Sequence, residues 1–144
     1  MKEGGVRSRV AIQPERIDPA ALLAEVANPE AGAVVLFLGT ARNHSEGKLG
    51  ITHLEYEAYS EAVVAKIEEL VAQAGSKWQL MTTVVEHRVG DVAVGQPSVA
   101  VAVAAVHRDA AFEAGRFLID ELKAKAPIWK KEHWPGGGEW VAGA

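Results

Sequence analysis

The 144-residue sequence contains no cysteine. That absence excludes a disulfide framework, a thiolate metal site and a cysteine nucleophile, and it fits a reducing compartment. Long hydrophobic runs are missing too. The longest, residues 33–39 and 99–106, fall far short of the about 20 apolar residues that cross a bilayer. The opening MKEGGVRSRV lacks the apolar centre of a secretion signal, so a soluble, cytoplasmic protein with no membrane partner is expected. An excess of basic charge is also absent. Lys and Arg total 15 against 19 Asp and Glu, a net charge of -4, and a domain that grips nucleic acid through a basic face is usually far more basic. A local cluster of cations on an acidic background suits a small anionic ligand instead.

What is present suffices for a core. With 49% hydrophobic residues, a chain of this size buries roughly two-thirds of its unfolded surface. One domain is expected over residues 1–144, with 1–8 as a flexible tail. No internal repeat or interdomain linker is visible.

Residues 9–13 predict a strand closed by Pro14. Asp18-Pro19 reads as an N-cap followed by proline at the first helical position, with a helix to about Ala27. Residues 33–42 begin as a continuous β-branched run, a strand covered on both faces. Residues 43–50 are a loop by composition, and 51–58 alternate like a half-buried strand. Ser60 is placed to cap a helix carrying Val63, Ile67, Leu70 and Val71 on one face, with Gly75 to end it. Strands follow at 80–88 and 97–106, separated by turns at Gly90-Asp91 and Gly95. Asp109 is expected to cap a third helix, stopped by Pro127, and 128–134 and 139–141 are short terminal strands. The order predicts an α+β fold, a largely antiparallel sheet with about three packed helices.

Three places could carry chemistry. His107-Arg108 lie where an apolar strand enters a helix, so unpaired N–H groups and the helix dipole favour an anion there; the ordinary alternative is a surface pair at a turn. Arg42 ends a buried strand, a rigid place from which to face a cleft or simply the sheet rim. Lys123 and Lys125 close the third helix, where lysine ordinarily complements the dipole. Lys130-Lys131 lie among Ile128, Trp129 and Trp134. Crowded cations near apolar rings lower a lysine pKa and supply an amine nucleophile or proton donor. Lys123 is expected to project from an anchored helix end, with Arg108 and Lys130 near enough to favour its neutral amine. Three of the four tryptophans fall in the last sixteen residues, suiting packing or an oligomer interface, or else a stacking platform. Histidines 44, 53, 87, 107 and 133 show no metal-ligand spacing, so no metal and no cofactor are expected.

The stretches GAVVLFLGTARNH, LEYEAY, HRVGDVAVG, AVHRDAAFEAGRFLIDELKAKAPIWKKE and GEW resemble the large, catalytic subunits of molybdopterin synthase, from about residue 10 to 141. Ala41 stands where many members carry valine. The resemblance implies an α/β hammerhead fold and a sulfurtransferase of molybdenum cofactor biosynthesis. It assigns catalysis to Lys123 and Lys130 and substrate binding to Arg42, His107 and Arg108, with Thr40, Ala41, Lys131 and Glu132 lining the pocket. It implies cyclic pyranopterin monophosphate as substrate, and as sulfur donor a small ubiquitin-like subunit ending in a Gly-Gly thiocarboxylate. It further implies a homodimer of large subunits with a small subunit at each end, a heterotetramer. A sulfur-inserting enzyme without cysteine is intelligible when its partner carries the sulfur. On residues alone two other readings stay open: a nonenzymatic module that senses a nucleotide or other phosphate, and an interaction protein that uses its tryptophan-rich end.

Overall fold

The computed structural model describes residues 7–45 and 47–142. Its centre is a four-stranded sheet in the order β1-β6-β8-β2, made of β1 (Arg7–Gln13), β2 (Ala33–Thr40), β6 (Leu80–Arg88) and β8 (Pro97–Ala105). β8 explains the layering. Its valines 99, 101 and 103 join one hydrophobic cluster, and alanines 100, 102 and 104 join another on the opposite face. The period-two pleat thus sends large side chains towards α2 (Ser60–Lys77) and α3 (Arg108–Lys125). The small ones face α1 (Pro19–Val26), which brings Leu22 and Val26 against them. Both faces of β8 are covered, whereas β2, the strand expected to be covered on both faces, lies at the sheet edge and is only partly buried, with Val34 exposed.

A second sheet, β10-β9-β5-β7, comprises β5 (His53–Ala58), β7 (Gly90–Ala93), β9 (Ile128–Trp134) and β10 (Gly137–Ala142). Its inner face contributes Leu54, Tyr56, Val92 and Ile128 to the valine-side cluster, so the two sheets share that core. β3 (His44–Ser45) and β4 (Lys48–Leu49) form a minimal hairpin inside the stretch read as loop. The fold is α+β with three helices among the described residues. Strand pairing is antiparallel throughout except for β1 with β6. No helix among the described residues is long and apolar enough to cross a membrane.

Several boundaries differ from the sequence reading. Residues 1–6 of the expected tail lie outside the described residues, but Arg7 and Ser8 are not tail: they pair with Thr82 and Thr83 in the sheet. Asp18 caps α1 as expected, accepting from the N–H groups of Ala20 and Ala21 at 3.1 and 3.3 Å. Ser60 instead lies inside α2, whose cap is Tyr59 with no side-chain bond. Gly75 does not end that helix. Trp78 does, because its indole N–H donates to Glu113 at 3.0 Å and its ring packs edge-on against Phe117, drawing two further residues into helix. Asp109 sits in the first turn of α3 rather than capping it; His107 takes the cap position in extended conformation. Asp109 is left to complement the dipole.

Candidate active site

β2 and β8 are paired until Gly39 opposes Val99, and then Thr40 opposes Pro97. Ser98 is the extra residue. A bulge of this kind bends the strand end and re-aims its side chains. Ser98 Oγ donates to the Gly39 carbonyl at 3.3 Å, and the chain beyond Thr40 turns so that Ala41 points into the core, 3% exposed, while Arg42 is exposed. Gly39 is required here, since a Cβ would stand 2.7 Å from Val99 Cγ1.

β9 supplies the facing wall. Ile128, Lys130 and Glu132 share one side of its pleat, and pairing sets Lys130 opposite Tyr56 and Glu132 opposite Leu54 on β5. The last turn of α3 adds Lys123. Together Thr40, Arg42, Lys123, Lys130 and Glu132 line a cavity of about 150 Å³ with Gly39, His44, Ser45, Ile51, Leu54, Tyr56, Ser98 and Val99. Glu132 is 3% exposed and accepts from Lys48 at 2.8 Å; Lys48 also reaches Glu139 at 3.2 Å. The hairpin, whose His44 and Ser45 line the cavity, is thereby tied to β9 and β10.

The electrostatics follow from this crowding. Burial, then the charges of Lys130 and Arg42, push the Lys123 amine below its usual pKa. Burial works to raise the Glu132 carboxyl, but hydrogen bonds from Lys48 and Ser45 and the charge of Lys130 outweigh it and hold the group below the usual carboxylate range. Three cations around one satisfied carboxylate leave a net positive pocket, in which burial and its neighbours favour the neutral form of the Lys123 amine.

Not every expected residue arrives. Lys131 lies on the opposite side of the pleat from Lys130, with its ammonium 5.7 Å from the Trp140 ring centroid. His107 and Arg108 open α3 whereas Lys123 closes it, which separates them by about 22 Å along the axis. The cations around Lys123 in this chain are therefore Lys130 and Arg42, not Lys130 and Arg108. His44, Ser45, Tyr56 and Ser98 went unanticipated. The alternation of 51–58 marks Tyr56 as inward-facing, but nothing in sequence sets its register against Lys130.

Larger hollows lie elsewhere on the fold, two of them relevant to the site. One of about 570 Å³ is lined by Glu55, Glu57, Tyr59 and Trp129, the wrong sign for an anion. Another of about 540 Å³ runs between β2 and α3, with Val35, Phe37, Phe112 and Ile119 on its walls and Lys123 at its edge. No group of three metal-ligating side chains comes together among the described residues.

A family model described as MoaE protein matches residues 12–125, the stretch that holds β2, α3 and the pocket arginine and lysine between them. The chain belongs to the MoaE family. A MoaE relative in Thermoplasma volcanium, a molybdopterin synthase catalytic subunit, is 40% identical over 136 residues, covering 94% of this chain and 98% of its own. The Bacillus subtilis catalytic subunit is 38% identical over 120 residues, 83% of this chain and 76% of that one. Among solved MoaE-type structures, a molybdopterin synthase from Staphylococcus aureus superposes with a TM-score of 0.84 at 33% identity, covering 90% of this chain and 94% of the other. The MoaE protein of Burkholderia ambifaria gives 0.81 at 34% identity, with 94% and 90% covered.

Proposed function

We propose that this chain is the catalytic subunit of a cytoplasmic molybdopterin synthase. It moves sulfur from the thiocarboxylated Gly-Gly end of a small ubiquitin-like subunit to cyclic pyranopterin monophosphate, forming the dithiolene. The observation that carries this reading is the pocket, where Arg42, Lys123 and Lys130 converge in a chain that has no cysteine. Both reactants are anions, and the sulfur must come from outside. Family membership supplies the reaction class.

Arg42 offers paired N–H donors to a phosphate or to the tail carboxyl. Lys123, depressed by burial and by its neighbours, takes a proton from the attacking group, and the charge of Lys130 stabilises negative charge as it develops. The apolar hollow between β2 and α3 ends at Lys123, a path by which a side-chain-free Gly-Gly tail can approach.

A cavity of about 150 Å³ is too small for the whole pyranopterin, since ligand pockets run to roughly 300–1,000 Å³. Arg108 and Lys123 of one chain cannot meet across an 18-residue helix. Both facts fit a site completed by a second copy, whose His107 and Arg108 would hold the phosphate at a helix N-terminus. Incubating the purified protein with the pyranopterin and a thiocarboxylated partner tests the reading. Dithiolene product is expected, and its absence, or equal turnover with a partner lacking the terminal Gly-Gly, overturns it.

A further inference from the structure

Tyr56 stands on the wall of the pocket and the reaction as proposed gives it no task. It is 4% exposed, sits directly across the strand pair from Lys130, and lines the cavity beside Ser98. Its ring packs edge-on against His87, with centroids 5.0 Å apart and planes at 70°. Burial raises the phenol above its usual pKa, and the Ser98 hydroxyl offsets part of that shift. The group is a neutral donor in a pocket whose other donors are mostly cations.

His87 is built in at a cost. The side chain is 0% exposed, and its Nδ1 lies 2.8 Å from the Arg88 carbonyl, which fixes the proton on that nitrogen. Nε2 is then a bare acceptor, and it meets no donor among the described residues. Buried polar atoms without partners are rare and are tolerated chiefly where function requires them. Phenylalanine or leucine would fill this interior position without the penalty. What histidine adds is a ring held by its own main chain, and the surface that ring presents is the one Tyr56 rests on.

We propose that Tyr56 is a further catalytic residue, an uncharged hydrogen-bond donor to the acyl oxygen of the partner's tail, and that His87 is the residue that positions it. The proposal rests on the sulfur-transfer reading above. Once the tail sulfur has bonded to the pterin carbon, tail and substrate are joined as a thioester. Water adds to the acyl carbon, Lys123 takes one of its protons, and the carbonyl π pair moves onto oxygen. Tyr56 hydrogen-bonds that oxyanion and keeps its own proton. Collapse breaks the carbon–sulfur bond, leaving a thiolate on the pterin and a carboxyl group on the tail, which ionises to solvent. A fixed neutral donor suits this oxygen because its charge appears only as water adds, so the hydrogen bond strengthens from thioester to transition state.

The test is steady-state dithiolene formation by wild type, Tyr56→Phe, His87→Leu and the double variant, with thermal melts and partner binding measured on each. Tyr56→Phe keeps the ring and its contact with His87. It is expected to lower kcat by about 10- to 100-fold with KM for both substrates within about threefold, a loss on the scale of a removed oxyanion donor or somewhat milder. His87→Leu is expected to lower kcat in the wild-type background and to add almost nothing in the Tyr56→Phe background, because it acts through the hydroxyl already lost. Wild-type kcat in Tyr56→Phe overturns the catalytic role. Independent, multiplicative losses overturn the positioning role, and a His87→Leu chain too unstable to assay is replaced by His87→Phe under the same criterion. If the wild type itself forms no product, the sulfur-transfer reading fails and this proposal falls with it; where the wild type does form product, the variants bear on Tyr56 alone.

Discussion

On the proposed mechanism Lys123 is the side chain on which the chemistry turns, and its surroundings make it testable. Burial and the charges of Lys130 and Arg42 favour its neutral amine, which a guanidinium cannot imitate because it stays protonated. Lys123→Ala should fold and bind the partner yet lose nearly all turnover, and Lys123→Arg should not rescue it; wild-type turnover in Lys123→Arg would show that charge alone suffices. Removing either neighbour should raise the amine's pKa, so the acid limb of the pH–rate profile should move to higher pH in Arg42→Gln and Lys130→Gln. A limb that stays in place would detach Lys123 from proton transfer. His87 makes a different statement, about stability. Its burial lowers the imidazole pKa from 6.5 to about 4. As pH falls from 6.5 towards 4 the unfolded chain binds a proton that the folded chain refuses, so stability drops through that window by up to about 3 kcal/mol. Denaturant melts at pH 7 and pH 4.5 should show this slope in the wild type and a flatter one in His87→Phe.

At the scale of elements, α3 carries the most information. Ala111, Ala114, Gly115, Leu118, Ile119 and Leu122 are its buried face, and they lay the helix across β8 and β2 so that its last turn reaches the pocket. Gly115 is the weak point. A Cβ there would meet Val35 Cγ1 at 3.6 Å, an ordinary contact, so Gly115→Ala should gain about 1 kcal/mol of helix propensity and raise Tm by about 3 °C. Gly39→Ala should do the opposite, since its Cβ would push Val99 and the pocket wall, and a melt together with a turnover assay separates the two cases. α1 is legible from its Asp18-Pro19 start, β2, β6 and β8 from their β-branched and apolar runs, and β9 from the prolines that bound it, Pro127 and Pro135. β7 is hidden in the sequence because Gly90-Asp91 and Gly95 mark turns on either side of Val92, its one buried residue. Arg42, Lys123 and Lys130 could be placed at element ends, but Ser98 could not, since a bulge leaves no mark in the pattern that surrounds it. The period of two in β9 already separated Lys130 from Lys131, and the length of α3 already separated Arg108 from Lys123. Both separations are legible in the sequence, whereas the resemblance assigns all four residues to one pocket without regard to which chain supplies them.

For the whole molecule, the distance between the two ends of α3 fits the proposal that the site is shared by a pair of chains. If a second copy's Arg108 completes the pocket, Lys123→Ala and Arg108→Ala chains, each inactive alone, should recover about a quarter of wild-type activity when mixed and allowed to exchange. Half of the random dimers are then hybrids, each with one intact site. No recovery in hybrids verified by mass would show that a second copy's Arg108 does not complete the pocket. Arg108→Ala should also weaken pyranopterin binding more than Lys130→Ala does, increasingly at low ionic strength, as titration would show. A last consequence comes from β8, whose residues 98–105 are all buried and whose neighbours on both sides are hydrogen-bonded strands. Solvent can reach its central amides only when β2 or β6 detaches and the helices on both faces lift away. Those protons should therefore exchange with deuterium slowest of all, at the rate set by global unfolding, while the hairpin strapped by Lys48 exchanges through local opening. The same molecule would then report two clocks, one for the scaffold and one for the hairpin that lines its site.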